Sequence, residues 1–460
     1  MNVAADPPAD GLSPPGLYWA MLVIACGICL SVLDATVVSV ALPTIARDLQ
    51  TEASTAVWII NAYQIAIIVA ILPLATLGDK VGYRRVYRAG MLVFILASIA
   101  CILSDTVTQL GLSRAVQGLG AAGIMSVNAA LVRVIYPRSL LGRGIALNAF
   151  VVAGASAAGP TLAAGILAFA DWTWLFIINI PLGLATLAGA MKYLPPSAKS
   201  SRPFDLLSAV LNVLAFGLVF VGFDSLGHLD FSTQNFVMLA AGLAIGVVYV
   251  RRQLRLPLPL LPVDLLRIPV FALSMGTSVC SFAAQMIAFI SLPFFLQHTL
   301  GHTPVETGLL MTPWPLALMV AAPVSAKLLD RYPAGLLGGV GLGIFAVGLL
   351  SLALLSAAPS AFDVSWRMAL CGVGFGLFQS PNNHTILTTA PANRSGGASG
   401  MLGTARLTGQ TIGATIVALT FALAPGRSWV AMVIGALLAG GGAVLSSMRV
   451  PAGARAARQR

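Results

Sequence analysis

A single carboxylate, Asp34, interrupts an otherwise apolar run, Val32-Leu33-Asp34-Ala35-Thr36-Val37-Val38-Ser39-Val40-Ala41-Leu42-Pro43. If that run crosses a bilayer, the acid costs roughly 2.5–3.5 kcal/mol on insertion scales. A carboxyl held there can bind and release a proton, or attract a cation. A guanidinium, Arg114, occupies a similar setting in Leu112-Ser113-Arg114-Ala115-Val116-Gln117-Gly118-Leu119-Gly120-Ala121-Ala122. Low dielectric disfavours a carboxylate's charge and a nearby guanidinium favours it. An approach of Arg114 to Asp34 would therefore make proton release depend on conformation. Two further charge clusters close apolar runs: Leu77-Gly78-Asp79-Lys80-Val81-Gly82-Tyr83-Arg84-Arg85 and Leu328-Leu329-Asp330-Arg331-Tyr332-Pro333.

The elements that position these groups follow from composition. The 460 residues are 58% hydrophobic and 9% charged, with a mean hydropathy of +0.91. Soluble domains carry about 25% charged residues, so lipid must cover this chain. Apolar runs near 20 residues long predict an all-α, multi-pass membrane protein rather than alternating barrel strands. Cys26, Cys29, Cys101, Cys280 and Cys371 all fall within apolar runs, so no disulfide framework is implied. Cys26 and Cys29 form a C-x-x-C, read as two small residues on one helix face. The first run follows an acidic, Pro-rich leader without Lys or Arg and is too long for a cleavable signal core. No phosphate-binding glycine loop and no His/Cys metal cluster is evident. An enzyme, an ATP-driven pump, a cofactor and a metal site are therefore not expected.

Breaks between apolar runs predict fourteen spans, near 17–41, 55–77, 88–104, 108–132, 142–170, 173–194, 205–224, 235–250, 270–297, 305–328, 336–357, 364–389, 400–423 and 428–448. With both termini inside, 21 of the 26 Lys and Arg residues fall on the inner side and 3 on the outer, with Arg114 and Arg406 inside spans. A missed or extra span would destroy this bias. The net charge of +11 is thus assigned to the inner face and anionic lipid, with no nucleic acid as partner. On these limits Arg114 lies about 9 Å and Asp34 about 10 Å from the outer ends of their spans. That places them at matching depth.

The Asp79-Lys80 and Asp330-Arg331 pairs each close a span at its inner end, eight spans apart. Two six-helix halves flanking an inserted pair would give this spacing, and parallel repeats are a known transporter plan. The expected organisation is a leader (1–16), a six-helix bundle (17–194), a linker with two inserted helices (195–269), a second six-helix bundle (270–448) and a basic tail (449–460).

Motifs throughout the chain resemble the major facilitator superfamily, in its fourteen-span drug:proton antiporter branch. Leu33-Asp34-Ala35-Thr36-Val37-Val38-Ser39-Val40-Ala41-Leu42-Pro43 is similar to a first-helix pattern L-D-x-T-x-V-x-V-A-L-P. The Gly78, Asp79, Gly82, Arg84, Arg85 stretch resembles the loop G-x-L-x-D-x-x-G-R-(R/K), with Tyr83 where an Arg is usual. The Arg114 run is close to L-x-x-R-x-x-Q-G-x-G-x-A. Gly154-Ala155-Ser156-Ala157-Ala158-Gly159-Pro160-Thr161-Leu162-Ala163-Ala164-Gly165 resembles the antiporter signature of the fifth helix, with Ala163-Ala164 where Gly-Gly is usual. Weaker matches are Trp172-Thr173-Trp174-Leu175-Phe176-Ile177-Ile178-Asn179-Ile180-Pro181-Leu182-Gly183, with Thr173 in place of Arg, and the stretch Ser399–Gly409 around Arg406.

The resemblance implies that Asp34 takes part in proton or substrate coupling, and the matching depth makes Arg114 the group expected to tune it. It implies an inner gate latched by the Asp79 loop and its repeat at Asp330 and Arg331. The motif at Gly154, Gly159 and Pro160 implies export. Intramembrane polar and aromatic residues then become candidates to line the route: Asn61, Tyr63, Gln64, Gln117, Gln285, Glu306, Trp314, Phe378, Asn382 and Arg406. Asn148, Gln379, Asn383 and His384 are further polar positions. Aromatic faces would hold cationic or flat molecules. The expected function is secondary active efflux of hydrophobic or cationic drug-like compounds in exchange for protons, by a monomer in the bacterial inner membrane. The alternative is a proton-coupled or facilitative carrier of one metabolite.

Overall fold

The computed structural model describes residues 11–197, 204–227, 232–256, 259–356, 359–391 and 394–449. The leader before residue 11 and the tail from 450 onward lie outside them. Among the described residues the chain is helical and has no strand. In chain order the helices are α1 Gly16–Asp48, α2 Ala53–Val81, α3 Tyr83–Ile102, α4 Val107–Ile135, α5 Leu141–Leu167, α6 Trp174–Tyr193 and α7 Leu206–Gly227. They continue as α8 Thr233–Gln253, α9 Pro269–Thr299, α10 Pro304–Leu328, α11 Ala334–Ala353, α12 Ala361–Thr389, α13 Ser395–Leu423 and α14 Ser428–Ser447. Single-residue breaks at Val57, Ile178 and Thr312 interrupt α2, α6 and α10.

Eleven of these helices are long and apolar enough to cross a membrane, and twelve if the bent α5 is included. The remaining two, α12 and α13, each have 29 residues. Their polar content, such as Gln379, Asn382, Asn383 and Arg406, lowers their hydropathy. Both pack within the same helical assembly, α12 on α10 and α11, and α13 on α9.

Packing repeats with a shift of eight helices. In the first half α4 packs on α2 and α3, α6 on α1 and α3, and α5 on α1. In the second half α12 packs on α10 and α11, α14 on α9 and α11, and α13 on α9. The halves meet along α5–α10 and α2–α13, which are equivalent under the same shift, and along α1–α9. The inserted α7 and α8 pack on each other, with α7 also against α2 and α13.

Boundaries differ most at α1, which runs seven residues beyond the expected stop, through Pro43 to Asp48. Proline forfeits one backbone bond and opens the preceding turn. Here Gln297 of α9 supports that turn by donating to the Val40 carbonyl at 3.2 Å. Arg449, expected in a solvated tail, instead turns back into the second half. It is buried and donates to Ser274 Oγ and Asn382 Oδ1, both at 2.8 Å.

Candidate functional site

Asp34 and Arg114 form an ion pair in which each side chain is only 1% exposed. Three donor side chains on two other helices, α4 and α6, complete the arrangement. Arg114 Nη1 donates to Asp34 Oδ2. Gln117 Nε2 and Asn179 Nδ2 donate to Oδ1 at 3.1 and 2.8 Å. Arg114 Nη1 also donates to Gln117 Oε1 at 2.6 Å, and Gln117 Nε2 to Ser98 Oγ at 2.9 Å. The guanidinium carbon lies 4.1 Å from the Tyr63 ring centroid and 5.7 Å from that of Phe176. Tyr63 is fixed in turn by donating its hydroxyl to the Ser31 carbonyl at 2.9 Å. Both carboxylate oxygens therefore accept from protein donors, the condition under which a buried charge is tolerable.

Local sequence explains this geometry. Gln117 lies one turn beyond Arg114 on the same face of α4. A Cβ on the adjacent Gly118 would come within 2.4 Å of the Tyr63 carbonyl, so only glycine lets α4 lie this close to α2. Asn179 opens the second segment of α6, directly after the break at Ile178. The break turns its amide toward α1. Depth counted from span ends is not what joins the pair, because α1 extends 14 residues beyond Asp34. The helix rises past the start of α4 instead.

The antiporter-type segment of α5 is wedged between α1 and α10. A Cβ at Gly159 would approach Thr36 Oγ1 to 2.1 Å, two residues along from Asp34. A Cβ at Gly308 of α10 would meet the Pro160 carbonyl at 2.6 Å and Ala164 Cβ at 2.4 Å. Thr161 and Thr312 share a hydrogen bond of 2.7 Å across this contact. At Gly154 the space is open. The other described hydrogen bonds between the halves are Thr44–Gln297, Gln297–Val40, Gln64–Met286 and Asn61–Thr415. All lie in the part of the molecule away from the Asp79 end.

At the Asp79 end, the Tyr83 hydroxyl donates to Asp79 Oδ1 at 2.7 Å. Among the described residues neither Arg84 nor Arg85 pairs with Asp79. Arg84 donates to the Leu194 carbonyl at 3.2 Å instead. Gly82 turns the chain with φ of +101°, and Gly78 packs against Val127 and Tyr83. Asp330 and Arg331 make no ion pair among the described residues.

The expected route-lining residues separate into groups. Tyr63 and Gln117 lie in the Asp34 network, Gln64 bonds across the seam between halves, and Arg406 lies near Tyr63. Gln285 is partly buried on α9. Trp314 and Phe378 are each 1% exposed and pack edge-to-face, Trp314 with Phe345 and Phe378 with Phe375, inside the second half. Asn382 is held there by Ser278 and Arg449. Glu306 forms a capping box with Thr303 at the start of α10 and contacts His302 at 3.3 Å. His384 is exposed.

Asn61 leads to an acid outside the expected set. Its Nδ2 donates to Asp224 Oδ1 on α7, which also accepts from Thr415 of α13 at 3.3 Å. Asp224 is 2% exposed. The sequence signal was an acid closing an apolar run, which reads as a flank. Asn179 was visible only inside its motif, since a neutral amide in an apolar run carries little cost.

Comparison with known proteins agrees with this architecture. Residues 24–414 match the Major Facilitator Superfamily. The chain is 54% identical over 445 residues to the uncharacterized transporter YebQ of Escherichia coli (strain K12), covering 96% of this chain and 97% of the relative. It is 28% identical to the riboflavin transporter RibZ of Clostridioides difficile (strain 630), covering 88% of each. It is 32% identical to the multidrug resistance protein Stp of Mycobacterium tuberculosis (strain CDC 1551 / Oshkosh), covering 86% of this chain and 74% of the relative. This multi-pass membrane transporter belongs to the major facilitator superfamily.

Proposed function

We propose that the chain is a secondary active exporter of multidrug type, moving hydrophobic organic compounds outward in exchange for protons at Asp34. The carrying observation is the Asp34 carboxylate, held at once by Arg114, Gln117 and Asn179. Protonation removes its charge and leaves Arg114 as a buried cation without its ion partner. Losing one member of a buried pair costs about 3–5 kcal/mol. The helices α1, α4 and α6 then gain by repacking, which links proton binding to helix position. Substrate in the seam biases the same equilibrium, and exchange follows from that shared dependence.

The Lys and Arg bias supports placing the Asp79 end and both termini in the cytoplasm of a bacterial cell. With the halves bonded at the opposite end, this conformation is read as open to the cytoplasm. An Asp79 loop that reaches only Tyr83 fits an unlatched inner gate. The α5 motif and the relative named for multidrug resistance support export. The relative named as a riboflavin transporter supports the second reading, a proton-coupled carrier of one metabolite.

Inside-out vesicles with an acidic lumen test both readings. Exporter activity predicts accumulation of several unrelated hydrophobic dyes, abolished by a protonophore. Accumulation indifferent to the protonophore contradicts proton exchange. Uptake of riboflavin alone among the compounds favours the second reading.

A further inference from the structure

Arg406 lies about 16 Å along α13, a helix about 43 Å long. Its Nε is buried without a hydrogen-bond partner. Among the described residues its side chain forms no hydrogen bond and no ion pair. A guanidinium carries five donors, and leaving them unmatched inside a membrane protein is costly. The other intramembrane acids do not serve it. Asp34 is engaged by Arg114. Asp224 accepts from Thr415, about 13 Å further along α13.

Helical phase shows where Arg406 points. Gly409 and Gly413 face α9, where an added Cβ would come within 2.5 Å of the Val279 carbonyl and 2.4 Å of the Ala283 carbonyl. Gly400 faces Leu72 of α2 at 3.3 Å. At about 100° per residue, Arg406 falls between those two directions, in the seam. Tyr63, the ring beneath Arg114, is its electrostatic neighbour on α2. A Cβ at Gly403, one turn earlier on α13, would meet nothing within 4 Å. Gln64, next to Tyr63, bonds Met286 of α9 across the same seam and leaves its Oε1 buried without a partner.

We infer that Arg406 receives an acidic group of the transported molecule, making amphipathic organic anions or zwitterions the preferred substrates rather than simple organic cations. A carboxylate, sulfonate or phenolate would take the unmatched donors in a charge-assisted, bidentate contact. A donor on the same molecule would satisfy Gln64 Oε1. The apolar body would lie along the α2–α9–α13 seam. This inference rests on the transporter reading above for the role of that seam, and it shifts the substrate class away from the cations expected from sequence.

The test is dye binding to the purified full-length protein in nanodiscs, by fluorescence anisotropy, with anionic fluorescein and cationic rhodamine 6G. Wild type should bind fluorescein at least tenfold more tightly than rhodamine 6G. Arg406→Gln should weaken fluorescein at least tenfold and rhodamine 6G hardly at all, and Arg406→Lys should recover part of the loss. Equal affinities in wild type, a preference for the cation, or no fluorescein binding would overturn the inference without any variant. Unchanged fluorescein binding in a folded Arg406→Gln would do so as well. Gradient-driven uptake of a neutral dye by wild-type vesicles separates the two readings. Its absence removes proton-driven export and leaves the binding result intact.

Discussion

Asp34 of α1 and Arg114 of α4 stand 80 residues apart in sequence and form one buried ion pair, with Gln117 and Asn179 bonded to the same carboxylate. Neither charge can change alone without leaving the other stranded in low dielectric. Under the proposed proton exchange, that dependence is what would couple proton binding to helix movement.

Arg114→Ala should strand Asp34. The expected result is a loss of stability of about 3–5 kcal/mol and at least a tenfold fall in transport, with an altered pH dependence in whatever protein survives. Thermal unfolding in detergent and transport across a pH series measure both. Wild-type stability with an unchanged pH profile would mean that the pair does not tune transport.

Asn179→Ala removes one neutral donor from a charged acceptor, a contact worth about 1.5–3 kcal/mol. Transport should fall about tenfold or more, while Asn179→Ser should keep part of the activity. Equal activity of the alanine variant and wild type would place Asn179 outside the coupling network.

Gly159→Val should jam the approach of α5 to α1, because even a Cβ would stand 2.1 Å from Thr36 Oγ1. Overpacking of this kind costs about 1–3 kcal/mol. Transport should be nearly lost although the protein still reaches the membrane. Gly154→Val, facing open space, is the control expected to express and fold normally.

Asp205 precedes α7, caps Ser208 N at 3.0 Å and pairs with Arg252 of α8 at 3.0 Å. Partial burial alone would raise its proton affinity, but the Ser208 and Arg252 hydrogen bonds outweigh that and hold its carboxyl below the usual range. A folded-state value below the unfolded one stabilises the fold above the unfolded value. That stabilisation is lost as pH falls through the folded one. The pair is partly exposed, so Asp205→Asn should cost only about 1 kcal/mol at neutral pH. The gap in melting temperature from wild type should close on acidification; a gap independent of pH would contradict this role.

The Asp34–Arg114 pair was legible because charges are rare and costly in apolar runs. Neutral groups were not. Asn179 carries no charge to mark it, and Asp224 sits where an apolar run ends, so it resembles a solvated flank. Trp314 and Phe378 mislead for a related reason. In a membrane protein the interior of one half, the seam and the lipid face are all apolar, so side-chain type does not separate core from cavity. The end of α1 was hidden by Pro43, whose lost backbone bond is tolerated with Gln297 bonded to the same turn. The role of Tyr83 at Asp79 was equally hidden, because the motif directs attention to its arginines.

Asp34 is the proposed proton site. The most direct measurement compares wild type with Asp34→Asn in proteoliposomes, following substrate movement and lumenal pH together. Wild type should move substrate against its gradient while protons cross in the opposite direction. The variant should lose both, yet still exchange labelled for unlabelled substrate without a pH gradient. Proton-coupled transport at the wild-type rate in Asp34→Asn would contradict the account.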